Sequence, residues 1–322
     1  MAVIDLSRPD VQTNLTGAIK FSFSQDAAPK LAQMMGNYLY SDKECAVISE
    51  LCANAYDIHR ATGKSSTPIK VQIPTMIDPE FVVRDYGTGM AEADVIKYLT
   101  SYGESSKTNT NNEVGFWGIG SKSPAAVTDN WTIISYHRGK KSQYEVFIDH
   151  DGVPALKKIV ELPSTEVGLE VRIPIKGSDF ALWRAAAAKA FKYYDPAPEL
   201  NMPINIERAF YNAKTARYGI KNENYYAKPK IVTTMREYQF DTDKISKYLP
   251  NDDLRHYLLS RKSADHCFDL FFEIGEVDLS ISREQIQYNK KTVDAILNSV
   301  TLLANDIDKE MTKLDTITDH VK

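Results

Sequence analysis

Three polar residues at helical spacing interrupt an apolar segment of this chain. In the segment ELCANAYD, residues 50–57, Glu50, Asn54 and Asp57 stand at positions i, i+4 and i+7, so one face of a helix would carry all three. Ser41 begins a capping-box pattern and is the predicted N-cap of this helix. Burying the polar face costs free energy unless a ligand, a metal ion or a hydrogen-bond network satisfies it. A helix that exposes the three residues to solvent is an equally good interpretation of this segment alone.

A first glycine motif follows a predicted strand. Asp85 comes directly after the apolar run Phe81–Val83 and its flanking arginine, and Gly87, Gly89 and Met90 follow it. A carboxylate in such a turn can accept a hydrogen bond from the exocyclic amine of adenine. The two glycines allow close approach of the backbone to a ring and permit positive φ. As a lone pattern the motif is weak, because Asp and Gly are common in turns.

A second glycine motif opens a predicted helix further along the chain. It contains Gly115, Gly118, Ile119 and Gly120, and the residues Ser-Lys-Ser-Pro follow, with Lys122 among them. Backbone N–H groups at a helix start bind phosphate, and the helix dipole adds attraction. The pattern is neither the P-loop nor the dinucleotide fingerprint. Lys122 either contacts phosphate or is a solvated surface lysine, which is the plainer interpretation.

The polar helix face suits a metal-bound nucleotide. Magnesium prefers oxygen ligands and shares phosphate oxygens with its nucleotide, so one protein ligand is sufficient. The side-chain amide of Asn54 is the predicted metal ligand. Glu50, one turn earlier, would lie near the same phosphates and suits a general base that orients water for attack on the γ-phosphate. Asp57 is expected to support the site rather than to react. The three segments together predict a pocket for ATP and Mg²⁺.

Composition places the chain among ordinary globular proteins. It has 322 residues, of which 43% are hydrophobic and 25% charged, which is enough for two domains. The net charge of −4 gives no support to a nucleic-acid coat or a polybasic membrane arm. Three cysteines without a CxxC spacing favour structural thiols in a reducing cytosol. With no signal-peptide pattern and no apolar run of ~20 residues, we expect a soluble cytoplasmic protein without a transmembrane segment.

Further elements follow from local patterns. Prolines at 196 and 198 end an alanine-rich helix predicted for Phe180–Tyr194, and we place the domain boundary there, between residues 1–198 and 199–322. A strand is expected at Ile204–Arg208. The polar segment Ser101–Asn112 is either a plain solvent loop or, given its place between the glycine motifs, a lid over a ligand. The remaining predictions are a helix at Ala91–Leu99 and strands at Ala18–Phe23, Ile69–Ile73, Trp131–Tyr136, Gln143–Ile148 and Leu169–Ile175.

A long amphipathic helix is predicted from about Lys290. Its apolar residues recur at helical spacing and are Val293, Ile296, Leu297, Val300, Leu303, Ile307, Met311 and Leu314. This stripe either packs on its own domain or meets a partner helix.

In this order the motifs resemble those of the GHKL superfamily of ATPases, which groups gyrase-type topoisomerases, heat-shock chaperones, sensor histidine kinases and MutL-type repair proteins. Glu50, Asn54 and Asp57 match its N-box, residues 85–89 its first glycine box and residues 115–120 its second. The resemblance implies an α/β (α+β) fold, a two-layer Bergerat-type sandwich with a mixed sheet, followed by a smaller α/β transducer-like domain. It also implies slow ATP hydrolysis with Mg²⁺ and an ATP-dependent homodimer.

One position departs from the family pattern. The third box usually contains Gly-Thr, and the threonine helps to hold adenine, whereas Leu169 occupies that place here. The whole combination, with its Ser/Asn-rich segment and short second domain, most resembles the phage rIIA-like lysis-inhibitor family. That resemblance implies a host or phage protein as partner and the host cytoplasm as location.

Residues 279–287 resemble the catalytic-loop segment in the middle domain of the heat-shock chaperones, where an arginine and a glutamine contact the γ-phosphate. Arg283 and Gln287 occupy the matching places. An arginine stabilises charge on a transferring phosphoryl group, and its supply from a second domain would make hydrolysis depend on domain closure. The competing interpretation is an ordinary helix N-terminus capped by Ser282.

The leading hypothesis is a Mg²⁺-dependent ATPase that acts as a conformational switch. A histidine kinase is a rival, but it needs a phosphoacceptor histidine on a dimerisation helix ahead of the ATP domain. None of the six histidines has that setting; they are His59, His137, His150, His256, His266 and His320. A second rival is a nucleotide-gated scaffold that binds a host or phage protein without efficient hydrolysis. A DNA-linked ATPase is disfavoured because the chain has no basic stripe.

Overall fold

The computed structural model describes residues 39–100, 120–150, 154–222, 228–249, 266–280 and 282–319. The chain divides into two compact units, Met1–Glu207 and Arg208–Lys322. Within the described part of the chain, no helix has both the length and the apolar character needed to cross a membrane. Several sequence-based predictions lie outside the described residues: the strand Ala18–Phe23, the possible lid Ser101–Asn112 and the phosphate-binding positions Gly115, Gly118 and Ile119.

Helix α1, Lys43–Ala61, is the helix predicted from the polar face. Its N-cap is Asp42 rather than Ser41, because the Asp42 carboxylate accepts a hydrogen bond from the Cys45 N–H at 3.3 Å. The middle of the helix is buried on most of its circumference, where residues such as Ala46 permit close packing. The cysteines at 45 and 52 are both buried, and burial raises the pKa of the Cys52 thiol.

The first unit contains a seven-stranded mixed sheet. Its strands are β1 Lys70–Gln72, β2 Glu80–Arg84, β3 Asn130–His137, β4 Lys140–Ile148, β5 Pro154–Pro163, β6 Gly168–Pro174 and β7 Glu199–Leu200. The spatial order is β5-β4-β3-β6-β2-β1-β7, and neighbours are antiparallel except for the parallel pair β1 and β7. Neither β5 nor β7 was predicted. Strand β5 forms a sheet edge where Ile159 and Leu162 stay half exposed, so the alternation typical of a half-buried strand is weak.

Helices pack against this sheet and form the core of the first unit. Helix α2 spans Glu92–Thr100, a 3₁₀ helix spans Gly120–Ala126, and helix α3 spans Phe180–Ala190. Trp183 of α3 packs on Phe81 of β2 with ring centroids 4.8 Å apart, and both side chains are fully buried. Helix α1 contacts both α3 and β2. This mixed α/β arrangement, with a second unit present, confirms the predicted fold class.

The second unit contains a five-stranded sheet and a small hairpin. Its elements are β8 Ala213–Lys214, β9 Tyr218–Asn222, β10 Lys230–Thr233, β11 Arg236–Gln239, α4 Thr242–Ser246, β12 His266–Phe272, β13 Asp278–Leu279, β14 Ile286–Gln287 and α5 Lys290–Asp319. The sheet order is β11-β10-β12-β9-β8, with β10 and β12 parallel and the other pairs antiparallel. The strand predicted at Ile204–Arg208 is wrong, because that segment has no strand structure and pairs with no described strand.

The apolar stripe of α5 packs within the second unit. Four of its residues are buried in the core of that unit: Val293, Ile296, Val300 and Leu303. For these residues the structure decides in favour of packing on the same domain. Met311 and Leu314 lie beyond the side chains that the structure describes.

Candidate active site

Helix α1 carries the three polar residues into the interior of the first unit. Glu50 and Asp57 are each 5% exposed, and Asn54 is half-buried. The solvent-exposed alternative is therefore wrong for the two carboxylates. Buried carboxylates need hydrogen-bond partners, a cation or a ligand, so this face is a polar interior surface rather than a solvated one.

Gly120 lies directly against this polar face. It begins the 3₁₀ helix, which contacts α1. A Cβ atom at Gly120 would overlap Oε2 of Glu50 and would lie 3.5 Å from Nδ2 of Asn54. Any side chain at this position would fill the space in front of both groups. The absence of a side chain therefore leaves a cradle formed by a carboxylate, an amide and the backbone.

Lys122, two residues further on, is buried rather than solvated. It is 5% exposed, and its ammonium group donates a hydrogen bond to the carbonyl of Tyr98 at 2.9 Å. Tyr98 lies in the last turn of α2, where carbonyl groups lack helical partners and the helix dipole favours a cation. Burial lowers the pKa of Lys122 from its ordinary 10.5 to about 8. The surface-lysine interpretation is therefore wrong.

Asp85 lies at the buried end of β2 and is held by backbone groups. Its Oδ1 accepts hydrogen bonds from the N–H of Gly87 at 2.8 Å and of Leu169 at 3.2 Å. Its own N–H donates to the Leu169 carbonyl at 2.9 Å. Burial raises the pKa of Asp85, while the two backbone donors oppose that shift. Because these contacts come from the Leu169 backbone, leucine in place of threonine leaves them intact.

The second carboxylate oxygen of Asp85, Oδ2, takes no part in these backbone hydrogen bonds. Among the described residues, Oδ2 has no hydrogen-bond partner, although the side chain is only 6% exposed. A carboxylate held by one oxygen presents the other in a fixed direction. It can therefore accept a hydrogen bond from an amine of a bound ring.

Close backbone approach explains the glycines of this turn. Gly89 has φ of +66°, and a Cβ there would overlap the Tyr136 carbonyl. Gly168 has φ of +111°, and a Cβ there would overlap the Asp85 carbonyl. Met90 is tied to β3 by Ser135, whose hydroxyl accepts from the Met90 N–H and donates to the Met90 carbonyl, both at 2.8 Å. The turn that carries Asp85 therefore lies in close contact with both α1 and the sheet.

Sequence reasoning missed three residues of this region: His59, Ser135 and Gly168. Gly168 stood within the third-box segment, and a glycine at a strand start was a usable signal for positive φ. Ser135 lies inside a correctly predicted strand, and no local pattern shows that its hydroxyl contacts a distant turn. His59 is fully buried and donates or accepts through both ring nitrogens, which a single histidine on a helix does not reveal.

Arg283 and Gln287 lie in the hairpin formed by β13 and β14 of the second unit. Arg283 has φ of +54°, and its N–H donates to the Ser280 carbonyl at 2.8 Å. The segment is a tight turn, so the alternative of a helix capped by Ser282 is wrong. Positive φ is uncommon for a residue other than glycine and costs free energy, so the surrounding turn must hold Arg283 in this conformation.

The residues of the first unit fit a nucleotide with its metal ion. The Asn54 amide and the Glu50 carboxylate beside Gly120 are oxygen-bearing groups of the kind that Mg²⁺ prefers. Among the described residues, no group of three or more His, Cys, Asp and Glu side chains is placed to hold a metal ion. A magnesium ion here would therefore take most of its other ligands from phosphate and water.

The first unit thus combines a mixed sheet with packed helices, a buried polar helix face and an aspartate held by backbone hydrogen bonds. Residues 41–170 match the family model described as histidine kinase-, DNA gyrase B- and HSP90-like ATPase. The match supports a GHKL-type ATPase domain in this region of the chain.

Solved structures give the same fold. The ATPase region of Saccharomyces cerevisiae topoisomerase II is similar, with a TM-score of 0.52 and 13% identity over 79% of this chain and 83% of that chain. The same region bound to ICRF-187 (dexrazoxane) has a TM-score of 0.52 and 12% identity over 82% of this chain and 85% of that chain. At such identity the likeness shows the fold alone. Among curated proteins, none matches this sequence.

Proposed function

We propose that this chain binds ATP with Mg²⁺ in its first unit and hydrolyses the ATP as a conformational switch. One observation carries the proposal: Glu50 and Asn54, on one face of α1, lie against Gly120, at the end of the second glycine motif. A carboxylate, an amide and the backbone of a glycine meet there. This arrangement offers a base, a metal ligand and phosphate-binding N–H groups in one place.

The adenine end of the proposed site is formed around Asp85. Its Oδ2 accepts a hydrogen bond from the exocyclic amine, while Gly87, Gly89 and Met90 line the ring. Ionised Asp85 is the form that accepts this bond, and the N–H groups on Oδ1 favour that form. The close approach at Gly89 keeps the turn narrow and its position fixed.

The phosphate end is formed by the second glycine motif and α1. Gly120 and Lys122, with Gly115, Gly118 and Ile119 ahead of them, supply N–H groups and one cation to the phosphates. Bound Mg²⁺ would neutralise developing phosphate charge, with Asn54 as its protein ligand. Glu50 orients a water molecule and accepts its proton as that water attacks the γ-phosphate. Asp57, buried on the same helix face, supports the site rather than reacting.

The resemblance to the chaperone catalytic loop extends the proposal to the second unit. Arg283 and Gln287 contact the γ-phosphate when ATP is bound, and Arg283 stabilises the charge of the transition state. Arg283→Ala should therefore lower kcat and leave ATP affinity within about threefold, since the interaction strengthens in the transition state. An unchanged kcat would remove Arg283 from the mechanism.

Glu50→Ala tests the assigned base. We expect ATP binding to persist and phosphate release to fall by about 10²- to 10⁴-fold, the usual range for loss of a general base. Glu44→Ala is the matched control, because Glu44 lies on the same helix, in its first turn, and is half-buried. Turnover in Glu50→Ala equal to that of the control would refute the base. Absence of phosphate release from the wild-type protein would favour the non-hydrolysing scaffold.

Asp85→Asn tests the adenine assignment by calorimetry. The change preserves shape but removes the charge, so affinity for ATP should fall by about 10- to 100-fold, the usual effect of losing a charged hydrogen-bond acceptor. Thermal unfolding of the variant shows whether the turn is intact. Wild-type affinity in a folded variant would count against recognition of adenine by Asp85.

The remaining parts of the proposal concern metal, assembly and finer identity. Removal of Mg²⁺ by a chelator should weaken ATP binding, and Asn54→Ala should remove most of that metal dependence.

A mass measurement with a non-hydrolysable ATP analogue tests the proposed homodimer, which should be absent without nucleotide. The motif resemblance to phage rIIA-like proteins supports a host or phage protein as partner, and tagged capture from infected cells with and without nucleotide tests that assignment.

A further inference from the structure

His59 is a fully buried histidine whose two ring nitrogens have different partners. Nδ1 lies 2.9 Å from the Thr67 carbonyl, and Nε2 lies 2.8 Å from the Tyr86 N–H. A carbonyl only accepts and a backbone N–H only donates, so the hydrogen must be on Nδ1 and the lone pair on Nε2. The ring is therefore neutral in this arrangement, because a protonated imidazole has no acceptor left for the Tyr86 N–H.

Lys64 contacts the other polar group of the same residue. Its ammonium group donates a hydrogen bond to the Tyr86 carbonyl at 2.5 Å. The backbone that carries Lys64 is held by a Schellman motif at the end of α1: the Lys64 N–H donates to the His59 carbonyl at 2.7 Å, and the Gly63 N–H donates to the Arg60 carbonyl at 3.2 Å. Gly63 has φ of +73°, as that motif requires.

The two contacts fix the residue that follows Asp85. Tyr86 is held at its N–H by His59 and at its carbonyl by Lys64. The next residue, Gly87, lies so close to α1 that a Cβ there would come within 2.5 Å of Cγ1 of Ile58. The end of α1 therefore sets the position of the turn that presents the Asp85 carboxylate.

We propose that His59 and Lys64 are positioning residues that clamp the Tyr86 peptide and so place Asp85 for adenine recognition. The inference rests on the proposed ATP-binding function and adds residues outside the family motifs. Neither residue touches the nucleotide. Both act through the backbone of the turn.

The test compares two variants of His59 by calorimetry. In His59→Gln the side-chain oxygen can still accept a hydrogen bond from the Tyr86 N–H, so we expect this variant to bind ATP within about threefold of the wild type. His59→Leu leaves the N–H unsatisfied and should raise Kd by about tenfold or more, with a smaller change in kcat.

His137→Gln is the matched control, since His137 contacts the same turn. Its Nδ1 lies 2.9 Å from the Thr88 carbonyl, so it donates a hydrogen bond that glutamine can also donate. This variant should bind ATP within about threefold of the wild type. A His59→Leu affinity equal to that of the wild type would overturn the clamp.

Hydrogen exchange at the Tyr86 amide gives a readout that needs no nucleotide. After correction for intrinsic rates, protection of this amide should persist in His59→Gln and fall in His59→Leu. If the wild type binds no ATP, the proposed function fails, and the exchange rates alone decide the clamp. Exchange at Tyr86 that is the same in His59→Leu and in the wild type would refute it.

Discussion

Replacing Gly168 with alanine tests the closest backbone approach in the candidate site. A Cβ at this position would overlap the Asp85 carbonyl oxygen and would lie 2.8 Å from the Asp85 carbonyl carbon and 2.9 Å from the Tyr86 Cα. All of these atoms belong to backbone, so none can rotate away. Contacts below 3.0 Å must open to about 3.4 Å, which separates the start of β6 from the Asp85 turn.

The loss of stability in Gly168→Ala can be estimated from the hydrogen bonds that this separation breaks. Two hydrogen bonds join the segments, from the Asp85 N–H to the Leu169 carbonyl at 2.9 Å and from the Leu169 N–H to Asp85 Oδ1 at 3.2 Å. Their loss costs about 2–4 kcal/mol, since one acceptor is charged. The positive φ of +111° adds about 1–2 kcal/mol for a residue with a Cβ. We expect a total loss of stability of about 3–6 kcal/mol and at least about a tenfold weaker affinity for ATP.

Gly139→Ala provides the matched control. Gly139 also has positive φ, +81°, but a Cβ there would meet no atom within 4 Å. Its substitution should therefore cost only the backbone strain of about 1–2 kcal/mol. Urea unfolding followed by tryptophan fluorescence reports on the first unit, because all three tryptophans, at 117, 131 and 183, lie in that unit. Equal losses of stability in the two variants would refute the close approach at Gly168.

Three further predictions use other contacts of the first unit. Gly120→Ala should lower kcat by at least about tenfold with a smaller change in Kd, because its Cβ would displace the Glu50 carboxylate; a wild-type kcat would contradict the cradle. The free energy of unfolding should rise between pH 8 and 10.5, since the pKa of Lys122 is about 8 when folded and 10.5 ordinarily, so the unfolded state holds more protons in that window. Lys122→Met should flatten this rise in urea titrations across the same pH range, and an unchanged slope would exclude Lys122 as its source. Trp183→Ala should cost about 3–5 kcal/mol in urea unfolding, whereas Leu182→Ala, at 51% exposure, should stay within about 0.5 kcal/mol; similar losses would contradict the packing of α3.

Local patterns in the sequence were sufficient to predict the helix and the turn that carry the candidate site residues. The spacing of Glu50, Asn54 and Asp57 has a meaning only in a helix, and α1 is that helix. The glycines after Asp85 indicated a turn at the end of a strand, which is where the structure has one. These predictions succeeded because helix periodicity, strand alternation and the conformational freedom of glycine depend on neighbouring residues. The same local information failed at Ile204–Arg208, where alternation had no partner strand among the described residues.

The sequence by itself thus determined that one helix face and two glycine motifs resemble an ATP site, and it specified the α/β class of fold. Only the tertiary structure decided that Glu50 and Asp57 are buried, that Lys122 contacts a helix end and that the α5 stripe packs within its own unit. It also revealed His59 as a contact of Tyr86, a residue of another element. Such facts depend on which distant segments of the chain meet. Burial and long-range hydrogen bonds follow from the path of the whole chain, and no local pattern contains that path.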